Sequence, residues 1–342
     1  MSNLTHDGGP GDRYGNITLF FNPHLCTLDT CDLTLASFLY RPTLPGNAIF
    51  AGLFALLFIP QLFFGIKHKT WGYMTAMSFG LIMECVGYIA RVMIHNNPFN
   101  HDMFLMYLIL LTIAPAFLTA AIYLCLARIV TVYGEDCSRF KPRTYTLIFC
   151  TCDLISLVLQ ALGGGIASTA NTQSSSDLGK NIMLAGLIFQ VVSLVLFAIC
   201  CGEFAFRVWS GKGSRNPTYT WLTQTGLFKG FLIGLFVSSV TIFARSIYRC
   251  AELAGGFDGD LFKNDEALYM IMEPTMIAVA CICLTVFHPA VAFKGVWHEA
   301  NFTFRTKKGA LENGRMKMGS TDEDSSVQLP DMRNQYGDSS RY

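Results

Sequence analysis

Glu84 and Arg91 stand seven residues apart in the run Met77-Ser-Phe-Gly-Leu-Ile-Met-Glu84-Cys-Val-Gly87-Tyr88-Ile-Ala-Arg91-Val-Met-Ile94. The run is otherwise apolar and long enough to cross a bilayer. On a helix the two charges share a face with Gly87 and Tyr88. A charge at the centre of a membrane helix costs at least about 2.5–3.5 kcal/mol, so such residues face a bundle interior and mark substrate or ion pathways. Similar stripes recur downstream. Asp153, Ser156 and Gln160 share one face, as do Arg245, Arg249 and Glu252. Gln190 sits in mid-run and Glu273 directly precedes Pro274. The candidate substrate pathway is therefore Glu84, Arg91, Asp153, Gln160, Gln190, Arg245, Arg249, Glu252 and Glu273. The competing reading is structural: ion pairs joining helices, with Arg91, Arg249 and Glu252 snorkelling at helix ends. Interhelical polar contacts average only about 0.6 kcal/mol, a weak reason by itself to keep so many.

The elements that must position these residues are membrane helices. The 342-residue chain is 52% hydrophobic and 14% charged, against roughly 25% charged in ordinary soluble domains. Seven apolar runs, near 44–66, 72–94, 103–131, 145–168, 181–206, 229–251 and 268–291, each supply the roughly 20 residues that a spanning helix needs. The fold class is all-α, a polytopic seven-helix membrane bundle over 43–292. It is preceded by a polar tail, 1–42, and followed by a charged, low-hydrophobicity tail, 293–342, that reads as disordered. Lys67 and Lys69, then Arg139, Lys141 and Arg143, then Arg207, Lys212 and Arg215, follow runs one, three and five; Lys294, Arg305, Lys307 and Lys308 follow run seven. The opposite loops hold few Lys or Arg, and 252–267 is acidic. The positive-inside rule then puts the amino terminus outside and the carboxyl terminus in the cytoplasm. On that orientation the ionisable residues collect in the outer half, with Asp153 deeper. Asn3 and Asn16 are glycosylation acceptors if the tail is outside, and Cys26 and Cys31 are disulfide candidates there.

Backbone breakers add detail. Pro115 and Pro274 interrupt runs three and seven and are expected to kink them. Gly163, Gly164 and Gly165 permit either close helix packing or a hinge. The cysteines point to different helix faces and make no metal site, and no cofactor is implied. A net charge of +1 gives no nucleic-acid signal. No phosphate-binding Gly-rich Lys-Ser/Thr loop and no hydrolase motif occurs, so the chain is read as a non-enzyme without its own ATPase. Seven helices also suit a lipid- or stress-sensing receptor signalling through its inner loops and tail. Against that, run three ends Leu126-Ala-Arg128 rather than Asp-Arg-Tyr, and run seven ends Phe287-His-Pro-Ala-Val-Ala-Phe293.

Taken in order, the motifs resemble a known family. They are Tyr40-Arg-Pro-Thr-Leu-Pro-Gly-Asn47, Glu84-x-x-Gly-Tyr-x-x-Arg91, Ala114-Pro-Ala-Phe117 with Tyr123 and Ala127-Arg-Ile129, and Asp153-x-x-Ser-x-x-x-Gln160-x-x-Gly-Gly-Gly165. Gly179-Lys-Asn181 with Gly186 and Gln190, Arg245-Ser-Ile-Tyr-Arg249 with Glu252, Glu266 with Tyr269, and His288-Pro289 complete the set. The set is similar to the fungal RTA-like, lipid-translocating exporter family over residues 40–292. Glu273, where that family usually has Asp, and Ala127, where Gly is expected, are departures. The resemblance implies a fungal plasma-membrane protein that exports or flips lipidic compounds such as sphingoid bases, sterol analogues or porphyrins, with a role in drug resistance. Its expected partners are membrane lipids or amphiphiles, with cytoplasmic regulators of the tail. A cationic amphiphile would need an acidic partner, for which Glu84, Asp153 and Glu273 are available.

Overall fold

The computed structural model describes residues 31, 41–134, 138–139, 142–170, 172–211, 219–255, 266–295 and 297. Seven long helices account for most of them: α1 Leu44–Lys67, α2 Trp71–Asn96, α3 His101–Tyr133, α4 Pro142–Ser168, α5 Gln173–Trp209, α6 Gly226–Ala254 and α7. The last is composite, with α-helix at Glu266–Met270, a π turn at Ile271–Thr275 and α-helix at Met276–Val286. Short helices at Thr220–Thr223 and Pro289–Ala292 flank α6 and α7. All seven spans are long and apolar enough to cross a membrane. α5 starts eight residues before the expected boundary because Thr172 caps it, its side chain accepting from Ser175 N.

Sequential helices pack on each other, α7 returns to α1, and α3 also touches α6. α3 is the most enclosed span, and the bundle is arranged around it. The chain alternates direction. Tyr73 at the start of α2 donates to the Leu284 carbonyl near the end of α7 (2.9 Å), while Thr43 N donates to Glu266 at the start of α7 (2.5 Å). We refer to these as the Lys67 end and the Leu44 end. Large apolar side chains point outward, among them Leu56, Ile59, Leu154, Ile199 and Phe236. Charged side chains are buried inside, the inverse of a soluble domain.

The glycines have distinct duties. A Cβ on Gly163 would lie 2.5 Å from Met183 N, and one on Gly179 would lie 2.5 Å from Ala167 N. On Gly186 it would meet the Ser156 carbonyl at 2.9 Å. The backbones of α4 and α5 are therefore in contact. For Gly163 the close-packing reading accounts for the residue without a hinge. Gly164 is buried but less crowded, and Gly165 has open space around it.

The two predicted kink prolines are both inside helices. α3 stays helical through Pro115, and Pro274 sits in the π turn. Each frees the carbonyl four residues earlier, because proline has no N–H to give it. The Met270 carbonyl takes the Thr275 hydroxyl at 2.8 Å instead. The Leu111 carbonyl takes Arg245, as described next.

Candidate functional site

The nine predicted residues are all buried, and they divide into three groups. The largest group joins α2, α3, α6 and α7. Arg245 Nη2 lies 3.1 Å from Glu273 Oε2 and donates to the Leu111 carbonyl at 2.5 Å. That carbonyl is the one Pro115 leaves unserved, so the proline in α3 makes a socket for an arginine of α6. Arg249 Nη1 is 2.6 Å from Glu252 Oε2 and 3.6 Å from Glu273 Oε1. Glu273 is thus shared between two guanidinium groups. The Arg91 guanidinium stacks 3.7 Å over the Tyr269 ring centre and 5.4 Å from that of Tyr107, a cation–π sandwich in a dry setting.

Glu84 and Arg245, both predicted to face the interior, do not form an ion pair with each other among the described residues. Both side chains are interior, and Glu84 feels the charges of Arg245 and Glu273. The ion pair itself goes to Glu273. Glu84 Oε1 has no hydrogen-bond partner among the described residues. The physical reason is reach: the π turn at Pro274 carries a carboxylate directly against Arg245, and that contact satisfies it first.

The second group is small. Gln160 Nε2 donates to Gln190 Oε1 at 3.0 Å, tying α4 to α5 beside the Gly186 contact. The third is Asp153. Its Oδ2 accepts from the Thr119 hydroxyl (2.8 Å) and the Tyr123 hydroxyl (3.0 Å) of α3. Its Oδ1 has no partner, and no cation lies within ion-pair distance among the described residues.

Thr119 and Tyr123 also line a cavity of about 760 Å³ between α3, α5 and α6. That volume is in the roughly 300–1,000 Å³ range of small-molecule sites. Its walls are apolar, with Leu126, Ile129, Leu194, Phe197, Leu235 and Phe243 among them. It runs from Thr119 to Tyr133 along α3, about 21 Å at 1.5 Å per residue. At the Lys67 end Thr220, Thr223, Gln224 and Lys229 form a polar mouth. The room comes from small residues: Ala198, Gly202 and Ala205 present little side chain, and a Cβ on Gly202 would meet nothing within 4 Å. Composition and periodicity gave no sign of this cavity. The signal available was the Ala198, Gly202, Ala205 spacing on one face of an otherwise bulky helix.

Other predicted positions are peripheral. Asn3, Asn16 and Cys26 lie outside the described residues. Cys31 is buried and disulfide-bonded. His288 caps the short helix after α7, its Nδ1 accepting from Ala290 N at 3.2 Å, with its ring against Tyr73 and Phe64. Beyond it, Trp297 is buried against Phe293, and Arg128 of α3 stacks on its ring at 3.7 Å and donates to its carbonyl.

Comparison with known proteins gives one consistent result. A family described as "RTA1 like protein" matches residues 77–296. The sphingoid long-chain base transporter RSB1 of Saccharomyces cerevisiae (strain Lalvin EC1118 / Prise de mousse) is 37% identical over 242 residues, covering 63% of each chain. Protein RTM1 of the same species is 32% identical over 63% of this chain and 67% of its own. Protein RTA1 of strain ATCC 204508 / S288c is 30% identical over 61% and 63%. The chain thus spans 63% of the length of the first of these relatives. No solved structure matches it.

Proposed function

Because the chain belongs to the RTA1-like family, we propose that it is a translocator of lipids or amphiphilic toxic compounds, set in the plasma membrane with its amino terminus outside. The observation that carries this reading is the cavity. It is apolar along its length, polar at one end, and backed at the other by two hydroxyls that contact a buried carboxylate. A single aliphatic tail fits that shape, and an amphiphile's head fits either polar end. Its relative's name, sphingoid long-chain base transporter, supports the same substrate type. Under this reading Gln160 and Gln190 help to hold the cavity wall in place, and the ion cluster fixes the helices around α3.

The test fills the cavity without touching its polar groups. Gly202→Leu and Ala205→Phe add bulk at two lining positions, and a Cβ at Gly202 meets nothing within 4 Å. Efflux of labelled sphingoid base, sterol analogue and porphyrin is measured in cells carrying wild type or either variant at matched surface expression. Efflux of at least one compound is expected from wild type and is lost in both variants. Wild-type efflux from the filled variants removes the cavity from the transport path.

A further inference from the structure

Asp153 differs from Glu252 and Glu273 in one respect that bears on energy coupling. Those glutamates each have an arginine within 3.1 Å. Asp153 is as deeply buried, yet among the described residues its only partners are two neutral hydroxyls, and Oδ1 has none. An unpaired buried carboxylate costs several kcal/mol, and the cost is relieved by a proton or by a cation. The groups that face it offer no resident cation. They are the Tyr123 phenol and Thr119 hydroxyl on α3 and the Cys150 thiol on its own helix; α5 brings Phe197 and Gln190 to this stretch.

The Thr119 hydroxyl supplies a second, independent observation. Its oxygen is 2.8 Å from Asp153 Oδ2 and 2.9 Å from the Ala116 carbonyl. It has one proton and can serve only one of these acceptors at a time. When that proton goes to Ala116, the contact with Asp153 needs a proton on the carboxyl. When it goes to Asp153, the carboxyl needs no proton of its own, and the acceptor lone pairs of the Thr119 hydroxyl are left for the cavity that it lines. That second arrangement suits a cationic N–H donor in the cavity, and the first does not.

Resting on the transport reading above, we propose that Asp153 is a shared site for a proton and a cationic amphiphile, so that the protein exchanges one for the other. The balance is simple: the carboxyl releases one H⁺ when the cationic head arrives and takes one H⁺ when it leaves, with no bond made or broken in the cargo. The two ligands exclude each other because either one satisfies the same carboxylate charge.

The test uses the purified full chain in liposomes that contain a pH-sensitive dye, with the membrane potential clamped. The probe is a fluorescent single-chain alkylguanidinium, which keeps its charge and N–H donors at all working pH values and carries no proton itself. Wild type is expected to move the probe faster, several-fold, when the far side is acidic, and to move protons the opposite way. Asp153→Glu retains the response to the gradient. Asp153→Asn, checked as a monodisperse species, loses it, and the dye signal disappears. Probe movement by wild type that ignores the pH gradient overturns the coupling alone. So does a gradient response that survives in Asp153→Asn. If wild type moves neither the probe nor the sphingoid base, the transport reading falls and takes the coupling with it.

Discussion

Glu273→Ala is the substitution that the geometry makes most informative. The carboxylate is 1% exposed and lies 3.1 Å from Arg245 and 3.6 Å from Arg249. Its removal leaves Arg249 with Glu252 at 2.6 Å, but leaves Arg245 with the Leu111 carbonyl as its remaining partner among the described residues. Breaking one side of a buried pair costs about 3–5 kcal/mol. The remaining carbonyl contact and the partners a membrane-embedded unfolded state can find put the expected loss near the lower end, about 3 kcal/mol. That is roughly a hundredfold in the folding equilibrium. Glu84→Ala breaks no ion pair within 4 Å and is expected to cost less than half as much. Arg245→Met combined with Glu273→Leu removes both charges and should recover most of the stability. The assay is reversible unfolding in bilayer-like micelles, with all four proteins compared at one ionic strength. Equal losses for Glu84→Ala and Glu273→Ala, or a double variant no better than the single, would refute the assignment of Arg245 to Glu273.

Two further predictions follow from the packing and the loop charges. Gly163→Ala drives a methyl into the Met183 backbone and should cost about 1–3 kcal/mol, whereas Gly165→Ala should change thermal stability little; the two melting curves decide it. Glycosidase should shift the wild-type band, the shift should vanish in Asn3→Gln with Asn16→Gln, and modification at the sequon Asn301-Phe-Thr303 of the other tail would instead reverse the proposed orientation.

The seven helices were legible because each had to cross hydrocarbon, and that requirement is written into continuous apolar length. The buried polar stripes were legible for the same reason: a charge in such a run has nowhere to go but inward. Partner choice was not legible. Nothing in the spacing of Glu84 and Arg245 reveals that a π turn at Pro274 brings Glu273 within reach first. Pro115 could be read as a break in α3, but the use of its freed carbonyl by a residue 134 positions away depends on tertiary contact. The cavity was hidden more deeply still, since it arises from what Ala198, Gly202 and Ala205 lack. Thr119, absent from every sequence motif, became a site residue only once α3 and α4 were in contact.

The seam between α4 and α5 has a mechanical consequence. Backbone atoms of the two helices touch at Gly163 and Gly179, and Gln160 and Gln190 stitch the next turns. Such a seam resists sliding and opening alike, because neither backbone can yield as a side chain can. On its other side, α5 meets α6 across the open volume of the cavity. The pair α4–α5 therefore forms a single plank, joined to α3 through Asp153 along one edge and packed on α6 along the other, where the cavity lies. A displacement of α5 alone is thus resisted by α4, and one of the pair together is resisted by the Thr119 and Tyr123 contacts with Asp153.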